Sequence, residues 1–209
     1  MVAGTAAVVL GAFGAGTYYS MTGRPRAPEV QALETDGLLR AHSPILGPSE
    51  APVTIVEFFD PSCEACRAYY PVVKEILQKH PAKVRVVLRY TTFHRGSDEA
   101  VRILETARLQ GLFAPVLETL LETQAEWASH GAPRPEVAWN AAARAGLDID
   151  KARSERLMPH ISAALNFDAA DVAKLGIRQT PTFFVNGKPL GEFGPKQLIA
   201  LVQSEVDKL

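Results

Sequence analysis

Two thiols are set three residues apart in Cys63-Glu64-Ala65-Cys66, directly after an apolar run. On a helix this spacing puts both sulfurs on one face, with Cα atoms close enough for a disulfide. The first cysteine falls where a helix should begin. Unpaired backbone N–H groups and the positive end of the helix dipole favour a thiolate there. A thiolate is the attacking species in disulfide exchange, and a stabilised one leaves more easily. The second cysteine, one turn deeper, can resolve the mixed disulfide. The pair therefore supports a full exchange cycle with no cofactor. An inert pair, a fixed disulfide, or a thiolate metal site shared between chains are the other readings of the same motif. The chain has two cysteines in 209 residues, and its five histidines (His42, His80, His94, His130, His160) show no metal-ligand spacing, so a closed zinc site within one chain is excluded.

Two other features converge on this motif. Glu57 is the one charged residue in the run VTIVEFF, six residues before Cys63. Buried beside the second cysteine, it would accept or relay that thiol's proton, with a pKa raised by burial; a solvated edge position is its other reading. Thr180-Pro181 precedes TFFVNG. In a cis bond the proline would present the Thr180 backbone to an extended client chain; a trans bond is the commoner form. Asp60-Pro61-Ser62 ends the apolar run. His94 reads as a solvated loop histidine, Trp127 and Trp139 as core, and Phe183 and Phe184 as hairpin residues on alternate faces.

The elements that must position these residues follow from periodicity. Residues 53–59, β-branched, aromatic and nearly all apolar, predict a strand buried on both faces. Residues 63–79 predict a helix containing Pro71, and residues 83–90 a second strand, parallel to the first through a right-handed crossover. Helices are predicted over 99–109, 115–127, 135–145, 148–157 and 160–175, with Asp148 a cap and Gly176 a stop. Residues 182–185 form a third strand, Asn186-Gly187 a two-residue hairpin turn and 188–193 a fourth strand; a last helix starts at Pro195. The result is α/β: a thioredoxin-like fold in two parts, 44–96 and 176–209, around an inserted all-helical subdomain at 97–175. Composition agrees with one folded domain, at 47% hydrophobic and 22% charged. A formal charge of −1 leaves no surplus of cations for nucleic acid.

Residues 1–23 carry no charged side chain, and 2–19 form an apolar stretch of bilayer-crossing length if helical: a signal peptide or a transmembrane anchor. Residues 24–43 read as a polar linker with a short helix around 29–39. Arg24 and Arg26 follow the apolar stretch, which by the positive-inside rule would leave the domain in the cytoplasm.

The stretches VTIVEFFDPSCEACRAYYP and GIRQTPTFFVNG, with the helical block between them, resemble the DsbA-like branch of the thioredoxin superfamily, the bacterial thiol:disulfide oxidoreductases, over residues 43–208. The resemblance implies that Cys63 is an exposed nucleophile, Cys66 the buried resolving thiol, Glu57 the family's buried acid and Pro181 its cis-proline. Thr180, Glu64 and Ala65 would then meet the client. It implies cysteine-containing protein substrates, a redox partner at the membrane, and a place in the cell envelope, periplasmic or extracytoplasmic, with residues 2–19 as tether. Many relatives have Pro followed by His or Tyr between the cysteines. Glu64 here adds negative charge, which predicts a Cys63 pKa above that of the strongly oxidising members and a less oxidising disulfide. Thr180 before the proline resembles isomerase and reductase branches, so the direction of electron flow is open. A thiol-based chaperone or copper(I) carrier would use the same two sulfurs.

Overall fold

Residues 53–59 form a strand because every position is apolar, aromatic or, at Thr54 and Glu57, able to be satisfied under cover; all seven are buried. The structure, a computed structural model, describes Met1, residues 37–129 and residues 131–209. In chain order the elements are β1 (Ile45–Leu46), β2 (Val53–Phe59), α1 (Glu64–Lys79) and β3 (Val84–Tyr90). Six helices follow: α2 (Ser97–Leu109), α3 (Phe113–Glu122), α4 (Gln124–Trp127), α5 (Pro135–Arg144), α6 (Ile149–Glu155) and α7 (Pro159–Lys174). The chain closes with β4 (Thr182–Val185), β5 (Lys188–Pro189) and α8 (Pro195–Val206).

The sheet order is β1-β3-β2-β4-β5. β2 and β3 are parallel, as a crossover through α1 requires, and the other pairs are antiparallel. Glu57 lies between Leu88 of β3 and Phe183 of β4. Side chains alternate along β2. Val53, Ile55 and Phe59 join a large cluster with Cys66, Val73, Leu198, Trp127 and Trp139, which runs from the sheet into the helical block. Val56 and Phe58 face the other way, with Leu38, Val87, Val172 and Ile177. Glu57 has the parity of the first set, so it points toward the layer that holds α1.

Three details depart from the sequence reading. The strand expected at 188–193 stops at Pro189, which has no N–H to extend the ladder. The helix expected at 115–127 is two, separated at Thr123. β1, only two residues long, was not anticipated; it pairs with Val86 and Val87 of β3. Elsewhere the local chemistry matches expectation. Asp148 caps α6 by accepting from the Lys151 N–H at 3.0 Å. Asn186 and Gly187 both have positive φ, 47° and 78°, as a two-residue hairpin of this type requires.

The apolar segment 2–19, the linker up to residue 36 and His130 lie outside the described residues. Among the described residues, no helix is long and apolar enough to cross a membrane.

Candidate redox site

Cys63 is the N-cap of α1, in extended backbone (φ −80°, ψ 122°), and Cys66 sits in the first turn. Both are unbridged thiols. Their environments differ sharply. Cys66 has no exposed surface and Cys63 retains 6%. The exposed Cys63 implied by the resemblance is thus corrected to a largely covered one, because the turn at 180–181 lies against it. The Cys63 Sγ donates to the Thr180 carbonyl oxygen at 3.3 Å. The Thr180–Pro181 peptide is cis, and Pro181 is buried.

These surroundings split the two thiols. Hydrogen bonding from Cys66 is the largest influence on Cys63; burial opposes it, and the Thr180 side chain and the N–H groups of Cys66 and Ala65 add to it, bringing the thiol down to about 5. Those two N–H groups belong to the unpaired set at the helix mouth. Burial pushes the Cys66 thiol far up, reinforced by its bond to Cys63 and by the negative charges of Glu57 and Cys63. Glu57 itself is raised to about 8, by burial first and by the Cys63 charge second. The arrangement is one stabilised thiolate, one thiol kept protonated, and one carboxyl whose proton is labile near neutral pH.

The remaining site residues fall close by. Glu64 is exposed and Ala65 half-buried, both between the cysteines. Glu64 acts on His94, raising it. Phe183 is core, tilted against Tyr69 with ring centroids 5.4 Å apart, whereas Phe184 meets Phe58 on the opposite face. Trp127 and Trp139 are buried, as expected of core residues.

Three residues escaped the sequence reading. Asp60, fully buried, donates its N–H toward the Cys66 Sγ at 3.5 Å. Its carboxylate accepts from the N–H groups of Ser62 (2.9 Å), Phe93 (2.8 Å) and His94 (3.1 Å), and from the Ser97 hydroxyl (2.5 Å). His94, read as a solvated loop residue, is instead paired with Asp60 through Nδ1 at 2.9 Å. Gln124, from α4, donates to the carbonyls of Pro61 (2.8 Å) and Cys63 (3.0 Å), so the helical block grips the loop that carries the first cysteine. Only the position of Asp60 between strand and motif offered a signal; the other two are distant in sequence.

Comparison with known proteins places these features in context. A family model described as Thioredoxin matches residues 40–204. A thioredoxin-like oxidoreductase from Silicibacter pomeroyi is 28% identical, with a TM-score of 0.71, covering 84% of this chain and 98% of that one. The alpha-DsbA1 of Wolbachia pipientis, 18% identical, shares the fold with a TM-score of 0.71, covering 82% of this chain and 94% of that one. The Na(+)/H(+) antiporter NhaA 3 of Salinispora tropica is 37% identical over 163 residues, which is 75% of this chain and 23% of the antiporter. The chain thus spans about a quarter of the length of the curated relatives it matches.

Proposed function

The chain belongs to the Thioredoxin family, and from that membership we propose that it is a protein thiol:disulfide oxidoreductase acting through Cys63 and Cys66. The observation that carries this reading is the placing of two unbridged thiols at the mouth of α1, Cys66 wholly buried and the Cys63 Sγ 3.3 Å from the Thr180 carbonyl oxygen.

In the reductive direction, the Cys63 thiolate attacks one sulfur of a client disulfide. A Cys63–client bond forms, the client S–S bond breaks, and the other client sulfur leaves as a thiolate. Glu57, raised to about 8 and so protonated in most molecules at neutral pH, first loses its proton to solvent; its carboxylate then takes the Cys66 proton as Cys66 attacks the Cys63 sulfur. The 63–66 disulfide forms, the second client sulfur leaves, and both client thiolates take up protons. The client gains two electrons and the pair loses them. A dithiol partner restores the reduced pair. Run backwards, the same steps introduce a disulfide, and the reduction potential decides which way dominates. The client passes beside Glu64 and Ala65 and pairs with the backbone of Thr180, whose carbonyl the Cys63 thiol releases on forming the mixed disulfide, in the manner of an added strand.

The proposed clients are exported proteins, and the proposed setting is the cell envelope, with residues 2–19 as tether to a membrane redox partner. The length and apolar character of that segment and the resemblance to exported oxidoreductases support this placement. Ion transport, named for the antiporter relatives, is not assigned to this chain.

Insulin reduction and refolding of scrambled ribonuclease test the activity. Wild-type protein should catalyse at least one, and Cys63→Ser should abolish it. Stoichiometric copper(I) on purified protein with neither activity would overturn the reading.

A further inference from the structure

We propose that a client chain crossing the redox motif lies in the groove between α1 and the helices α3 and α4, and that this groove selects a basic side chain about three to five residues from the reacting cysteine. This deepens the oxidoreductase reading and rests on it. The groove begins at the motif. Its upper part is a cleft of about 370 Å³ with Glu64, Arg67 and Gln124 in its walls. Its lower part is a cavity of about 580 Å³ along α1, where Tyr70, Lys74 and Glu75 share the lining with Glu118, Leu121 and Glu122 of α3. Arg67 lines both, so the two parts meet at the residue that follows Cys66.

The upper cleft offers what a peptide backbone needs. The half-buried Arg67 has neither hydrogen bond nor ion pair for its guanidinium among the described residues, so its N–H groups are open to carbonyl oxygens. Gln124 is 1% exposed. Its Nε2 is spent on the Pro61 and Cys63 carbonyls, and its Oε1 has no partner. A covered acceptor left unpaired costs free energy that an entering N–H would recover. Open donor and orphan acceptor together are the complement of an amide.

The lower cavity sets the side-chain preference. Lys74 is paired with Glu118, and its Nζ lies 5.7 Å from the Tyr70 ring centroid, so this ring already accommodates a cation. Glu75 and Glu122 are exposed and have no counter-ion among the described residues. Over the whole groove, four carboxylates (Glu64, Glu75, Glu118 and Glu122) stand against Arg67 and Lys74. The surplus is negative. Its complement is a lysine or arginine whose stem lies along Tyr70 and whose charge reaches Glu75 and Glu122. The spacing follows from helix rise. Residues 70 to 75 lie about 10–18 Å along α1 from Cys63, a distance that an extended client spans in about three to five residues.

The test uses the reduced protein and synthetic peptides whose single cysteine carries an activated disulfide, with Lys, Gln or Glu placed about four residues to one side or the other. At low ionic strength, mixed-disulfide formation at Cys63 should be about tenfold faster for the better-placed Lys peptide than for its Glu counterpart, with Gln between, and the ratio should shrink with salt. Glu75→Gln combined with Glu122→Gln should bring the ratio close to one. Glu50→Gln combined with Asp207→Asn removes the same charge from exposed positions before β2 and after α8, outside the groove, and should preserve the ratio. Equal rates for Lys and Glu peptides in the wild type, or the same fall in both double variants, would overturn the proposal. A second measurement needs no exchange. Peptides with serine in place of the cysteine are titrated into the protein while the Tyr70 ring and Leu121 methyl resonances are followed by NMR. The Lys peptide should shift them and the Glu peptide should not; no shift with either would also overturn the groove. Shifts without any disulfide reaction would uphold the groove and sink the oxidoreductase reading, so the two failures are distinguishable.

Discussion

Replacing Glu57 with glutamine removes a carboxyl that the fold keeps protonated beside Cys66. In the folded protein this group is raised from 4.5 to about 8, chiefly by burial. Between those values the unfolded chain has released the proton and the folded protein still holds it. The contribution of Glu57 to stability is therefore greatest below about 4.5 and is lost as pH rises through 8. At about 1.36 kcal/mol per pH unit, the full contribution approaches ~5 kcal/mol, and ~3 kcal/mol of it is lost by pH 7. Glutamine cannot ionise, so Glu57→Gln lacks this slope. Cys63, with its pKa lowered, contributes the opposite slope in both proteins, and the comparison largely cancels it. The assay is urea unfolding of both reduced proteins across about pH 4 to 8. The variant should gain on the wild type by roughly 3 kcal/mol between the acid end and neutrality. A difference that stays constant to within about 0.5 kcal/mol would refute the reasoning, because Glu57 would then ionise as easily folded as unfolded.

Other consequences can be checked separately. Alkylation of Cys63 in the reduced protein should follow a titration near 5 and be close to its plateau at neutral pH, because the thiol is brought down to about 5; a midpoint near 9 would mean an ordinary thiol. Arg89 is fully buried and pairs with Asp168 at 2.7 Å and Asp171 at 2.6 Å. Arg89→Met should cost roughly 3 kcal/mol in urea unfolding, since Asp168 and Asp171 lose their buried cation and keep only His42 and the Tyr90 N–H, and Arg40, respectively. Asp148→Ala, which removes the cap on α6, should cost about 1 kcal/mol without changing the redox behaviour.

The sequence carried the parts of the fold whose signals are local. The run at 53–59 has the composition that suits a doubly covered strand, and the Asn186-Gly187 turn announced its hairpin. The helices over 97–175 were legible from apolar spacing, with their ends set by Gly, Pro and Asp148. Two-residue β1 was invisible because so short a strand has no period; the sheet edge, not its own residues, makes it a strand. Residues 188–193 have the composition of a longer strand, but Pro189 has no N–H to donate and ends the ladder. At the site, the cysteine pair, Glu57 and Thr180-Pro181 stood out by type and spacing. His94 did not, since its partner Asp60 lies 34 residues away and meets it only after β2 and β3 align. Arg89 was hidden in the same way within an apolar strand, with its carboxylates 79 and 82 residues further on.

Trapping of a mixed disulfide bears most directly on the redox assignment. Reduced Cys66→Ser and Cys63→Ser variants are mixed with a peptide carrying an activated disulfide, and the products are weighed by mass spectrometry. Cys66→Ser should accumulate the peptide adduct at Cys63, because attack proceeds and resolution cannot, while Cys63→Ser should remain unmodified. Equal labelling of both variants, or an adduct formed only at Cys66, would contradict the assignment of attack to the thiol at the mouth of the helix.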